Sequence, residues 1–474
     1  MRPAPKARTL NDEELGVKSD GTASDKHNEA NASVPPPLPH SAIPVDESVA
    51  GKPQTTLSSE ISTLMNEVLD IENLKRALER VKRNKGAPGI DGMTVDELGV
   101  HLKANWPAIR AQLVAGSYCP KPVRRVEIPK PDGRTRLLGI PTVTDRFIQQ
   151  ALAQVVQRQW EPHFHPNSYG FRPGRNAHQA MRHAQATIRQ GYGWVVDIDL
   201  EAFFDRVNHD RLMVRVRQHV NAPDVLKLIN RFLKGGVQVA GQTQATIQGV
   251  PQGGPLSPVL ANVVLDELDW ALERQGHRFA RYADDCNIFV KSKRAGERIM
   301  DSVTRYLRET LRLTVNAQKS AVDRPRNRKF LGFTVSRDGA RIKVADKAIE
   351  KLKTTIRELT RRTRGHRLAD IVQELKTALT GWKAYFGIAE VLSPLREIDK
   401  WVRRRLRCYA WKQWGSAGYR ELRKRGVSVR EAWNTSKSAH GPWRLSQTPA
   451  LTLALPVKLF RQMGLPELAP AKAA

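Results

Sequence analysis

Phe279-Ala280-Arg281-Tyr282-Ala283-Asp284-Asp285-Cys286-Asn287-Ile288-Phe289-Val290 sets two adjacent carboxylates between apolar flanks, the pattern of a β-hairpin with acids at its tip. Ile288, Phe289 and Val290 form a near-continuous apolar run, as in a strand covered on both faces. A second acidic strand lies upstream, in Trp194-Val195-Val196-Asp197-Ile198-Asp199-Leu200. Alternation puts Val196, Ile198 and Leu200 on one face and Asp197 and Asp199 on the other. Acids are depleted in strands, and two like charges roughly 7 Å apart on one face repel, so a positive charge should lie over them. A solvent-facing edge strand is the bland alternative.

Carboxylates from two neighbouring strands can hold Mg²⁺, which prefers oxygen ligands and leaves room for substrate phosphates. Two such ions about 4 Å apart serve nucleotidyl transfer, in which the protein mainly positions groups and neutralises charge. Side chains of adjacent strand residues point to opposite faces, so one of Asp284 and Asp285 is the principal ligand unless the turn redirects both.

The bulk chemistry agrees. With 474 residues, two or three domains are expected, and the 40% hydrophobic and 27% charged shares describe a soluble globular protein. Lysine and arginine number 78 against 48 acids, a formal charge of +30, which a polyanion such as nucleic acid would offset. No apolar run is long enough to span a bilayer and no signal-peptide core opens the chain, so a cytoplasmic location is expected, without a membrane partner. Cys119, Cys286 and Cys408 are far apart and no CxxC occurs, which argues against a disulfide framework or a cysteine-rich zinc site. Residues 1–56, rich in Ala, Ser, Asn, Asp, Lys and Pro and free of aromatics, read as a disordered tail. Helical spacing begins after Leu57, a loop spans Asn84 to Gly92, and Val123 to Leu138 reads as a hairpin turning at Pro131-Asp132-Gly133. A helix is expected from Asp145 to about Trp160.

Tyr282-Ala283-Asp284-Asp285 in a hairpin is a hallmark of reverse transcriptases, and the resemblance extends well beyond it. Asn84 to Gly92, Ile128 to Gly133, Ser168-Tyr169-Gly170-Phe171-Arg172-Pro173-Gly174, Asp199 through Asp205, Gly249 to Pro258 and Phe330-Leu331-Gly332-Phe333 follow in order. From about Leu57 to Gly332 the chain resembles the fingers and palm of a group II intron reverse transcriptase/maturase. Leu379 to Gly387, with Trp382, resembles its helical thumb, or maturase X domain. The resemblance implies an α+β right-hand polymerase with an antiparallel palm sheet. Its parts would be the tail (1–56), fingers and palm (57–335), thumb/X domain (336–415) and a small basic nucleic-acid-binding element (416–474).

The implied activity is RNA-directed DNA polymerisation, copying group II intron RNA into cDNA, joined to a maturase role in splicing and mobility. The implied metal ligands are Asp199, with Asp284 as its partner and Asp285 as the supporting acid; Asp197 is a weaker candidate. The implied cofactor is Mg²⁺, two ions, with Mn²⁺ as a substitute. Lys319 matches a lysine proposed to protonate the leaving pyrophosphate, with a plain surface lysine as the alternative. Lys130, Arg136, Phe204 and Gln252 match the dNTP-binding residues. Phe204 stands where an aromatic gate would clash with a ribose 2′-hydroxyl, although its neighbour Phe203 is one residue away. Arg172 and Arg175 are expected to contact template or nucleotide, or to hold their loop.

Residues 401–430 carry ten Lys or Arg and one acid, Glu421, among Trp401, Tyr409, Trp411 and Trp414. Basic residues interleaved with aromatics suit structured RNA, which nominates Arg403, Arg404, Arg405 and Arg407. The aromatics around Trp382 read as packing rather than base stacking. The implied partners are group II intron RNA, an RNA template with a DNA primer, target DNA and dNTPs, with nucleoid association during insertion. Many such proteins end in a His-Asn-His endonuclease with paired CxxC motifs. Without a CxxC, the expectation is that this protein does not nick the second strand and takes its primer from elsewhere. The competing readings are a retron, CRISPR-associated or diversity-generating reverse transcriptase, an RNA-dependent RNA polymerase, and an RNA-binding splicing factor with a relic polymerase.

Overall fold

The computed structural model describes residues 61–129, 135–239, 241–338 and 340–470. The expected tail, Lys130 and the turn at Pro131-Asp132-Gly133 lie outside these residues.

The first layer is helical: α1 (Thr63–Leu69), α2 (Ile71–Asn84) and α3 (Leu98–Val114). Asp70 caps α2 by accepting from the amides of Glu72 and Asn73, while Lys82 and Arg83 fall in the last turn, where the carbonyl end of the helix favours cations. The expected hairpin follows as β1 (Val123–Pro129) and β2 (Thr135–Ile140), antiparallel with Ile128 opposite Arg136. Helix α4 (Val143–Trp160) starts at Thr142, whose hydroxyl accepts from the Asp145 amide. It is buried on nearly every side, because α1 and α2 cover one flank and the rest of the core the other.

The central region contains α5 (Ala177–Arg189), β3 (Trp194–Ile198), the short α6 (Phe203–Arg206), α7 (His209–Arg217) and α8 (Pro223–Lys234). Strands β4 (Val237–Val239) and β5 (Gln242–Gln244) join β1 and β2 in a four-stranded sheet ordered β2-β1-β4-β5. Next come α9 (Ser257–Arg274), β6 (Arg278–Tyr282), β7 (Asp285–Val290), α10 (Lys293–Glu309) and β8 (Ala321–Asp323). The central sheet is antiparallel throughout, in the order β6-β7-β3-β8. One face carries Val196, Ile198, Ile288 and Val290 into the core shared with α9 and α10. Helix α10 lies close on it: a side chain at Gly296 would come within 2.5 Å of Val322. On the other face Val195, Ala280 and Phe289 pack against Ala180, Met181 and Ala184 of α5. That apolar cover gives way, further along β3, to Asp197 and Asp199.

A two-stranded ribbon, β9 (Phe333–Val335) with β10 (Ile342–Val344), leads into α11 (Asp346–Leu359), α12 (Leu368–Phe386) and α13 (Ser393–Trp414). The expected packing role of the Trp382 region is met. Trp382, Tyr385, Phe386 and Phe333 form one aromatic cluster, and the Tyr385 hydroxyl donates to the Leu331 carbonyl at 3.0 Å. Glu390, just past α12, accepts from Gln185 of α5 (2.6 Å) and from the Ile342 amide (2.8 Å) with the same carboxylate oxygen.

The remaining helices are α14 (Gly418–Lys424), α15 (Val429–Ser436), α16 (Pro442–Leu445), α17 (Pro449–Ala454) and α18 (Val457–Gln462). They build no core of their own: Leu422, Ala432, Leu445, Leu451 and Phe460 join the cluster of α12 and α13. The α13 arginines, expected at nucleic acid, all find partners within the chain. Arg403 pairs with Glu467 (3.7 Å), Arg404 stacks on Trp443 (3.8 Å), Arg405 donates to Thr360, and Arg407 donates to the Leu455 carbonyl (3.0 Å). Arg405 also lies over Trp401, and Arg425 over Trp414. The interleaved cations and aromatics thus pair with one another on a partly open face, each cation–π contact contributing about 0.5–1 kcal/mol.

Candidate active site

Strand register decides which acids meet. Asp197 faces Asn287 and Ile198 faces Cys286 across the β3–β7 ladder, so the next step brings Asp199 level with Asp285, on the same face as Asp197. Tyr282 pairs with Asp285, which leaves Ala283 and Asp284 as a two-residue turn. Ala283 has φ +55°, a left-handed conformation unusual for a residue with a side chain. The turn therefore takes Asp284 off strand alternation, and both acids sit at the hairpin tip beside Asp199.

The tip rests on a buried arginine that sequence reasoning passed over. Arg281 is fully buried and grips Asp269 of α9 through Nε (2.7 Å) and Nη2 (2.6 Å). Its Nη1 donates to the Ala283 carbonyl at 2.8 Å and to Asn262 at 3.0 Å, and Nη2 also donates to the Ser168 hydroxyl at 2.7 Å. Burial works against this charge, yet the Asp269 carboxylate outweighs it and holds the guanidinium above its ordinary range. Asn262 in turn donates to the Gly170 carbonyl at 2.8 Å. A Cβ on Gly170 would lie 2.3 Å from the Ala283 nitrogen, so only glycine fits there. The stretch from Ser168 to Gly174 is thus the buttress of the hairpin.

Arg172, expected either at template or nucleotide or as a holder of its loop, belongs to that buttress. Its guanidinium is buried, donating to Glu161 (2.9 Å) and to the carbonyls of His165 (2.7 Å) and Ser168 (2.9 Å), which leaves no face for a phosphate. Arg175 is half-buried over the Tyr169 ring and donates to the Pro166 carbonyl at 2.9 Å.

Electrostatically the acids crowd one another. Protein packed around Asp285, and then the charges of Asp284, Asp197 and Asp199, push its carboxyl up to about 7, although the cleft leaves its side chain open to solvent. Burial also raises Asp197, against the pull of Arg328, which pairs with it at 2.6 Å. Lys319, at the end of the turn before β8, places Nζ 3.3 Å from both Asp199 oxygens. Asn287 keeps a buried side-chain nitrogen without a partner beside Asp197. No three His, Cys, Asp or Glu side chains among the described residues converge as a metal-holding group. The donor chemistry nevertheless fits a hard divalent cation: acidic oxygens from two strands whose mutual repulsion a cation would relieve.

A second group is tied together around Gly249 to Gln252. The Val250 amide donates to the Phe204 carbonyl at 2.6 Å, and Gly249 packs on the Asp205 backbone. Gln252 accepts from Arg136 Nε at 2.8 Å, and its carbonyl accepts from the Gly139 amide at 2.8 Å. Phe204, Gln252 and Arg136 are therefore brought together, linking the β1–β2 hairpin to the central region. Phe203 is buried in the core, whereas Phe204 is partly exposed, so of the two only Phe204 has a face open to a ligand.

Residues 128–335 match the reverse transcriptase (RNA-dependent DNA polymerase) family, and residues 349–426 match the group II intron maturase-specific domain. Protein YkfC of Escherichia coli (strain K12) is 33% identical over 308 residues, which cover 56% of this chain and 81% of that one. This chain belongs to the group II intron-type reverse transcriptases. Another relative of this reverse transcriptase is the group II intron-encoded protein LtrA of Lactococcus lactis subsp. cremoris, 37% identical over 197 residues. That match covers 41% of the chain and 32% of LtrA, so the chain spans about a third of LtrA's length. The putative COX1/OXI3 intron 2 protein of Saccharomyces cerevisiae is 25% identical over 342 residues, 59% of this chain and 39% of that one. The reverse transcriptase match includes both acidic strands, and the maturase match runs from within α11 to just past α14.

Proposed function

We propose that this protein copies group II intron RNA into DNA by two-metal nucleotidyl transfer and, as a maturase, binds that RNA and assists its splicing and mobility. The observation that carries the reading is the register that sets Asp199 level with the hairpin tip of Asp284 and Asp285, supported by the link of Arg136 to Gln252 and of Phe204 to Val250. Asp199, Asp284 and Asp285 would hold Mg²⁺, which supplies activation of the primer 3′-hydroxyl and neutralisation of phosphate charge. Arg136 and Gln252 orient the incoming dNTP, the guanidinium as a fork suited to phosphate oxygens. Phe204 crowds a ribose 2′ position, and Lys319 delivers a proton to the leaving pyrophosphate. The partners are intron RNA, an RNA template with a DNA primer, and target DNA, met in the cytoplasm; no helix among the described residues is long and apolar enough to cross a membrane.

The decisive assay is primer extension on an RNA template with dNTPs and Mg²⁺, run beside a splicing assay on group II intron RNA. Asp284→Asn should abolish cDNA synthesis and spare splicing assistance. Loss of both would mean that this carboxylate cannot be separated from folding. Phe204→Ala should raise rNTP incorporation on the order of tenfold or more, since removing the ring opens room for one hydroxyl. Unchanged dNTP/rNTP selectivity would remove the gate assignment.

A further inference from the structure

We propose that Arg328 is a positioning residue for the polymerase reaction, holding the turn that presents Lys319 to Asp199. The inference rests on the reading of Lys319 as the proton donor.

The geometry is a clamp with three members. Arg328 follows a short 3₁₀ turn, Pro325–Asn327, in which Asp323 accepts from the Arg324 amide (2.6 Å) and the Asn327 side chain (2.9 Å). From there its guanidinium reaches back across β8. Nε donates to Asp197 at 2.8 Å, and Nη2 contacts the same carboxylate at 2.6 Å while donating to the Lys319 carbonyl. A single planar fork thus ties the β3 carboxylate to the backbone of the lysine.

The other side of that turn is fastened to Asp199 itself. The Asn316 amide donates to the Asp199 carbonyl at 2.8 Å, and the Asp199 amide donates to the Ser320 hydroxyl at 3.0 Å. Lys319 lies between these anchors with its backbone carbonyl fixed by Arg328. Its side chain has four rotatable carbons, and a loose stem would carry the ammonium through many positions. Fixing the carbonyl narrows the reach of that stem, and Nζ stands 3.3 Å from both Asp199 oxygens.

In the step served, the primer 3′-oxygen attacks the α-phosphorus as its proton passes to water. The bond from the α-phosphorus to the bridging oxygen breaks, and that oxygen takes a proton from the Lys319 ammonium. Neutral Lys319 is then reprotonated from solvent. A lysine displaced by an ångström or so loses proton transfer rather than nucleotide binding.

A double-mutant cycle in primer extension tests this. Lys319→Ala should lower kcat on the order of 10²-fold, the lower range of general-acid effects. Arg328→Met should lower kcat about tenfold with dNTP KM within about twofold, and should add nothing in the Lys319→Ala background. Arg328→Lys keeps the charge beside Asp197 but cannot span to the Lys319 carbonyl. It should therefore show the same loss at an unchanged Tm, and it carries the test if the methionine variant fails to fold. Multiplicative losses would leave the lysine in its role and overturn that of Arg328. A silent Lys319→Ala would overturn both. Independently of activity, amine labelling of Lys319 followed by mass spectrometry should rise several-fold in Arg328→Lys; unchanged labelling would also overturn the clamp.

Discussion

Asp285→Asn is expected to lower primer extension at least on the order of 10²-fold and, at the same time, to raise the Tm. The first effect follows from the cation the acids would hold, because losing one oxygen ligand weakens the neutralisation of phosphate charge on that scale. The second follows from the crowding of Asp285 by Asp284, Asp197 and Asp199 in partly desolvated surroundings. Asparagine keeps the shape and removes one of the repelling charges. Functional sites hold such unfavourable arrangements because the surrounding structure enforces them. The measurements are a primer-extension rate and a thermal melt in Mg²⁺-free buffer. A fall in Tm with lost activity would show that Asp285 holds the hairpin together rather than serving a cation.

Asp269→Leu should destabilise the protein by about 3–5 kcal/mol, because it strands a fully buried guanidinium without its carboxylate. Arg281→Met alone should cost a similar amount by stranding the acid. The double replacement Arg281→Met/Asp269→Leu should recover much of that loss, since an apolar pair of similar volume replaces a desolvated ion pair. Activity should not recover with it. The double variant still lacks the donors to the Ala283 carbonyl and the Ser168 hydroxyl that seat the hairpin tip. Chemical denaturation and primer extension on the three variants separate the two quantities. Activity returning in step with stability would mean that the tip needs no anchor.

The acids were legible because strand alternation is a short-range rule: Asp197 and Asp199 share a face in any regular strand, and the hairpin tip announces itself by its apolar flanks. The partner of Asp199 was less legible. Strand spacing alone could not tell that the β3–β7 register brings Asp285 level with it, while Asp284 rides the turn at Ala283. Arg281 was hidden because a lone cation in an apolar strand gives no sign of its partner, twelve residues back on α9. Its one trace is that a charge within such a strand demands a buried counterion. For Arg172 the sequence left two roles open, and only the fold singles out the loop-holding one. The internal partners of the α13 arginines were not legible, because the Trp401 and Trp443 rings meet Arg405 and Arg404 only in the folded chain. A helix of 22 residues with arginines flanking its apolar stripe on both sides, followed by five further helices to be covered, carried that information only in combination.

Glu390 makes the helical region and the central sheet share one fastening. Its carboxylate oxygen accepts from Gln185 on the helix behind that sheet and from the Ile342 amide of the ribbon that leads into α11, so a movement of either element gives up one of the two bonds. A single anion is thus a shared rivet, and whatever withdraws it loosens the helical region at two points at once.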